Sequence, residues 1–255
     1  MSEPVVADLS GQTAIVTGSS RGIGAETAKL LAAAGANVVV NYRQKAPRAN
    51  KVVAAIEEAG GRAIAVGADL TADGGAQSLV DAAVEQFGSV DILVLNASGG
   101  MESGLGEDYA LRLNRDAQVN MLEAATAAMQ PGGRVVFVTS HQAHFIKTVP
   151  TMDAYVPVAQ SKRAGEDALR ERLPQLAERG LTFVVVSGDM IEGTITATLL
   201  DRSTPGAIEA RREAAGKLYS VEEFAAEVSA MVTADVEHGH TEYVGGAEDF
   251  LAAGQ

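Results

Sequence analysis

Thr13-Ala14-Ile15-Val16-Thr17-Gly18-Ser19-Ser20-Arg21-Gly22-Ile23-Gly24-Ala25-Glu26-Thr27-Ala28 decides the fold. Its opening residues form a short apolar run of the kind found in a strand buried on both faces, and its end starts an Ala-rich helix. Between them, glycines at 18, 22 and 24 let the main chain turn tightly and bring its N–H groups close to a ligand. The helix N-terminus adds partial positive charge at the same place. A glycine-rich turn between a strand and a helix is the arrangement that holds a dinucleotide pyrophosphate. Gly18, Ser20, Arg21, Gly22, Ile23 and Gly24 are therefore the expected dinucleotide contacts, and a tight turn without a ligand is the alternative.

Outward from this turn the alternation continues. Val- and Ile-rich runs at 13–17, 37–41, 63–66, 92–95, 135–139, 182–187 and 240–244 read as strands. Segments of helical character at 22–34, 48–59, 76–86, 109–129, 158–177 and 221–232 lie between them. The expected fold class is α/β, a Rossmann-type doubly wound parallel sheet of about seven strands with helices on both faces. No Pro/Ser-rich linker, charge block or repeat interrupts the pattern, so residues 1–255 are expected to form a single dinucleotide-binding domain. Two stretches depart from it, 141–157 and 189–219. Both begin at strand carboxyl ends, where ligands bind in such sheets, so they are expected to be the substrate-side loops.

The composition excludes several classes of function. Lys and Arg total 20 against 33 Asp and Glu, a net charge of -13 that repels phosphate backbones and anionic lipid, so neither nucleic acid nor membrane is an expected partner. With no cysteine there is no disulfide, thiolate nucleophile or Cys-type zinc site, and no metal is expected. The acidic Met-Ser-Glu-Pro start has no apolar run to serve as a leader, and no stretch is long and apolar enough to span a bilayer. A cytoplasmic location is the expectation.

Further landmarks follow in order: Ala68-Asp69-Leu70 after the third strand, Leu95-Asn96-Ala97-Ser98-Gly99 after the fourth, and Asn114 placed 26 residues before Ser140. Ser161-Lys162, Ser187-Gly188 with Thr194 beyond, and Tyr243-Val244-Gly245-Gly246 complete the series. Together with the Thr-Gly-x-x-x-Gly-x-Gly turn, the chain from about 9 to 250 resembles the short-chain dehydrogenase/reductase family. Leu95 and Ser98 depart from the usual Asn-Asn-Ala-Gly. The resemblance implies a nicotinamide-dependent oxidoreductase acting on a small-molecule substrate, assembled as a homotetramer or homodimer. It also implies cofactor contacts from Asp69, Leu70, Asn96, Ala97, Ser98, Gly188 and Thr194. In the family, Ser holds the reacting carbonyl oxygen and Lys binds the nicotinamide ribose while lowering the pKa of a catalytic Tyr. Ser140, Lys162 and the helix residue Asn114 match those positions.

The second strand ends Asn41-Tyr42-Arg43, without the carboxylate that would bind an NAD ribose and repel a 2′-phosphate. Arg21 and Arg43 can instead pair with that phosphate, which favours NADP(H) over NAD(H).

The catalytic acid stays open. The family spacing is Tyr-x-x-x-Lys, but Val158 stands four residues before Lys162 and cannot donate a proton. Tyr155 stands seven before it, about 10 Å along a regular helix. Pro157 biases Val156 away from the α conformation, so a bend could return Tyr155 to the site. Three readings remain: Tyr155 is the acid, His144 of Ser140-His141-Gln142-Ala143-His144 takes the role, or the site binds cofactor with little or no chemistry. The expected function is NADPH-dependent reduction of a carbonyl on a small to medium organic substrate, or its reverse. A catalytically silent NADP(H)-binding sensor or scaffold is the alternative. Met101, Phe145, Tyr155, Met190 and Ile191 suggest a partly apolar pocket, and Arg211, Arg212 and Lys217 read as a solvated helix face.

Overall fold

The computed structural model describes residues 7–101, 106 and 108–253. The first half runs β1 (Thr13–Val16), α1 (Gly22–Ala33), β2 (Asn37–Tyr42), α2 (Ala46–Glu58), β3 (Arg62–Gly67), α3 (Gly75–Phe87) and β4 (Ile92–Leu95). Then come α4 (Tyr109–Leu111), a π-helical turn (Arg112–Asp116), α5 (Ala117–Ala128), β5 (Arg134–Ser140), α6 (His141–His144) and a 3-10 turn (Asp153–Tyr155). The chain ends with α7 (Val156–Arg170), α8 (Leu173–Glu178), β6 (Thr182–Gly188), α9 (Ile195–Ser203), α10 (Ala207–Ala215), α11 (Val221–Ala230), β7 (Thr241–Val244) and α12 (Glu248–Ala253).

All seven strands join one parallel sheet in the order β3-β2-β1-β4-β5-β6-β7. Their side chains alternate between two cores. Val38 and Val40, Ile92 and Val94, Val136 and Val138 face one core, which α1 and α11 cover through Leu31 and Phe224. Val39, Leu93 and Leu95, Val135 and Phe137 face the other, closed by Leu79 of α3 and Met121 and Leu122 of α5. Burial on both faces is why the strands read as continuous apolar runs. The strand order reverses between β1 and β4, opening a crevice at their carboxyl ends.

Four expectations about local structure change. The 109–129 segment is helical but interrupted by the π-helical turn that carries Asn114. The 158–177 helix begins earlier, at Val156, and divides between Arg170 and Leu173, with Pro174 in the first turn of α8. Val156 adopts the α conformation (φ -47°, ψ -50°) despite preceding Pro157, because the 3-10 turn at 153–155 leads directly into the helix. A proline in that first turn forfeits no intrahelical bond. The 189–219 excursion contains α9 and α10. No helix among the described residues is long and apolar enough to cross a membrane.

Candidate active site

A cleft of about 620 Å³ opens over the carboxyl ends of the strands. Every site residue predicted from sequence lines it except Gly188, Asn114 and His144.

The glycine turn is built from inside. Thr17 Oγ1 accepts from the N–H groups of Asn96 (2.9 Å) and Ala97 (3.0 Å), which ties the turn to the end of β4. Asn96 Nδ2 donates to the Thr17 carbonyl at 2.9 Å. Asn41, buried at the end of β2, accepts from the Gly18 N–H at 3.0 Å and donates to the Ala68 carbonyl at 3.2 Å. Its amide therefore holds the glycine turn against β3. Gly18 has φ +62° and lies so near Ala97 that a Cβ would come 2.9 Å from the Ala97 Cα. Gly22, at φ +57°, faces open space. The N-cap residue Arg21 makes no side-chain cap on α1, and among the described residues the N–H groups of its first turn, which have no intrahelical acceptor, are left to the cleft. A cradle of glycines and free amides at a helix N-terminus fits a dinucleotide pyrophosphate.

Cations mark one end. Arg21, Arg43, Lys45 and Arg48 all line the cleft, and Arg43 hydrogen-bonds Tyr109 while lying over its ring at 5.3 Å from the centroid. Burial opposes ionisation of Asp69, but two hydrogen bonds from Thr71 and the charges of Arg43 and Arg112 outweigh it and hold its carboxyl below the ordinary value.

At the other end the Tyr155 hydroxyl lies 3.2 Å from Ser140 Oγ. The Tyr155 ring is 4% exposed and packs with Ala143, Val158, Met190 and Leu200. Lys162 is 8% exposed, and among the described residues its ammonium has no hydrogen-bond or ion-pair partner. It lines the same cleft. Val158 points instead towards Gly100, where a Cβ would come 3.2 Å from Val158 Cγ2.

Asn114 lies behind the cleft. Its amide bonds both ways to the Gly99 main chain (3.1 and 2.8 Å) and donates to Ser161 Oγ at 2.9 Å. It fixes the loop after β4 against α7 beside Lys162. The two helices approach so closely that a Cβ on Gly165 would stand 1.9 Å from the Asn114 carbonyl oxygen.

The histidines after Ser140 face away from the cleft. His141 is fully buried. Its Nε2–H donates to the Gly245 carbonyl at 2.6 Å, so Nδ1 accepts from the Ser187 hydroxyl at 2.8 Å. Burial pushes its imidazole below the usual value, with the Gly245 carbonyl working the other way. His144 Nδ1 donates to Glu166 Oε2 at 2.9 Å, and Nε2 meets the Tyr243 hydroxyl at 3.0 Å. Burial opposes the Glu166 charge, but His144 and Arg170 outweigh it and hold its carboxyl below the ordinary value. The structure thus joins His144 to Glu166 and Tyr243 and leaves it apart from Ser140, Tyr155 and Lys162.

Among the lining residues that the sequence did not single out are Tyr109 and Gln142. The position of Gln142, two residues beyond Ser140, was the only available signal for it. Arg211, expected on a solvated face, is mostly buried in a bidentate ion pair with Asp189 (2.8 and 2.9 Å). Nothing in the spacing of these two residues announces that contact.

The sequence profile of the short chain dehydrogenase family matches residues 12–203. An uncharacterized oxidoreductase of Methylorubrum extorquens is 38% identical over 74% of this chain and 77% of its own length. A hydroxynaphthalene reductase of Aspergillus fumigatus is 35% identical over 78% of this chain and 73% of its own. Among solved structures, a short chain dehydrogenase from Burkholderia cenocepacia in complex with NADP superposes with a TM-score of 0.80. It is 32% identical, and the match covers 94% of this chain and 98% of that one.

Proposed function

The chain belongs to the short chain dehydrogenase family, a family of NAD(P)(H)-dependent oxidoreductases acting on C=O and CH–OH groups, and from that premise we propose that it is an NADPH-dependent carbonyl reductase with Tyr155 as its acid. The observation that carries this reading is the 3.2 Å contact between the Tyr155 hydroxyl and Ser140 Oγ on the wall shared with Lys162. A carbonyl oxygen placed between the two hydroxyls receives a hydrogen bond from Ser140 and the proton from Tyr155. The Lys162 ammonium, unpartnered among the described residues, offers ribose a donor and adds a positive charge to the cleft in which transfer leaves a tyrosinate. When bound in this cleft, the dinucleotide supplies hydride. Apolar contacts from Met190, Ile191 and Leu200 exclude water around the reacting carbon.

NADPH rather than NADH is supported by Arg21 and Arg43, joined by Lys45 and Arg48, and by the absence of a carboxylate directly after β2. Cations gathered here in a chain of net charge -13 are a local inversion of the protein's field. The chain acts as one domain, with 141–157 and 189–219 enclosing a small to medium organic substrate. It works as a homodimer or homotetramer, and its site is in the cytoplasm.

The test is NADPH oxidation over a panel of ketones and aldehydes. Turnover that falls at least about 100-fold in Tyr155→Phe and is retained in His144→Ala supports the assignment. Tight NADPH binding with no turnover of any carbonyl overturns it in favour of a cofactor-binding module, the reading that Val158 favours.

A further inference from the structure

The substrate end of the cleft contains a chain of three polar side chains that the proposed chemistry does not use. Arg211, on α10, holds both oxygens of Asp189 and also donates to the Gly246 carbonyl at 2.9 Å. Its guanidinium lies over the Phe250 ring, 5.1 Å from the centroid. Asp189, 5% exposed at the end of β6, also accepts from the Met190 N–H at 2.7 Å. Gln142 Nε2 donates to the same carboxylate, Oδ1, at 3.3 Å.

A carboxylate already bonded to a guanidinium offers only acceptors, so the nitrogen of the Gln142 amide must be the atom turned towards it. The amide oxygen is thereby turned away from Asp189. Gln142 is half-buried and lines the cleft, and among the described residues nothing donates to its oxygen. Gln142 stands two residues after Ser140, which limits their Cα atoms to about 7 Å apart. Met190, Ile191, Ala197 and Leu200 make the surrounding wall apolar. In such a wall an oriented acceptor on the segment that carries Ser140 discriminates strongly, because leaving it unpaired costs binding.

We propose that Gln142, oriented through Asp189 by Arg211, is a specificity-determining residue whose amide oxygen selects carbonyl substrates bearing a hydroxyl on the carbon next to the carbonyl. The assignment rests on the reductase reading above and adds its substrate class. Gln142 touches the substrate, whereas Asp189 and Arg211 are positioning residues that keep the amide from rotating. Because Arg211 comes from the 189–219 excursion, the same ion pair couples the seating of α9 and α10 over the cleft to the orientation of the selecting group.

The test is kcat/KM with NADPH for matched ketones differing by one α-hydroxyl: benzoin with deoxybenzoin, and acetoin with butanone. The wild type is expected to favour the hydroxylated member by about tenfold in each pair, the worth of one neutral hydrogen bond made in a dry site. Gln142→Met, close to isosteric, is expected to bring the ratio near one by losing efficiency on the hydroxylated ketone alone. Arg211→Gln is expected to lower the same ratio, chiefly through KM, with NADPH affinity unchanged. A wild-type ratio near one, or a ratio that survives Gln142→Met, overturns this inference and leaves the reductase reading in place. NADPH oxidation by other carbonyls of the panel but by none of these four ketones overturns this inference alone, and NADPH binding without oxidation by any carbonyl of the panel overturns both.

Discussion

The hydroxyls of Tyr155 and Ser140 stand 3.2 Å apart although 15 residues separate them in sequence. Ser140 is fixed by the last register pair of β5 with β6, opposite Gly188. Tyr155 is fixed by a 3-10 turn whose N–H bonds back to the Met152 carbonyl at 2.7 Å. If both hydroxyls act on one carbonyl oxygen, their contributions are not independent. Ser140→Ala and Tyr155→Phe are each expected to lower kcat by about 100-fold or more, and the double variant by far less than the product. Steady-state kinetics of the three variants check this.

Val158 occupies the position four residues before Lys162 and is buried against Gly100, with 4% exposure. Val158→Tyr is expected to destabilise the protein by about 1–3 kcal/mol through overpacking. It is not expected to restore turnover to Tyr155→Phe. Denaturant midpoints and NADPH oxidation read the two effects separately.

Gly165 lies where α7 crosses the π-helical turn, and a Cβ there would meet the Asn114 carbonyl oxygen at 1.9 Å. Main chain cannot yield as a side chain tip can. Gly165→Ala is expected to cost about 3 kcal/mol or more and to lower turnover by shifting Lys162, although alanine is the better helix former. Thermal melting and kcat measure both consequences.

The proposed preference for NADPH rests on Arg21 and Arg43. Replacing both with Ala is expected to weaken NADPH binding by about tenfold to a hundredfold and to leave NADH binding nearly unchanged, since only the former has a 2′-phosphate to lose. Titration calorimetry with both dinucleotides decides it.

His141 is buried in its neutral form, with a folded-state pKa below the unfolded value of 6.5. Above that pH neither state binds the proton. As pH falls below it, the unfolded chain takes up a proton that the folded chain resists, so stability declines from about pH 6.5 downward. Glu166 acts in the same direction at lower pH, because its depressed pKa contributes stability that is lost as its carboxylate protonates below the ordinary value of 4.5. Melting temperature against pH is expected to show two successive declines, the first flattened in His141→Asn.

The alternation of apolar runs with Ala-rich segments gave the sheet and its helices, because strands buried on both faces and helices with one buried face are local patterns of composition. The 13–28 turn was equally legible, since glycine is demanded wherever the main chain itself must approach a phosphate. The strands from 135 and 182 were readable to within a residue, and the break at Pro174 was not. What the sequence by itself determined was the framework and the cofactor end of the cleft. Only the tertiary structure decided the substrate end. There Tyr155 meets Ser140, His144 turns to Glu166 and Tyr243, and Arg211 reaches Asp189 across 22 residues to orient Gln142. Those contacts are made between elements by long side chains, and their distances depend on how the 3-10 turn, α6 and α10 pack on strand ends, which no spacing along the chain encodes.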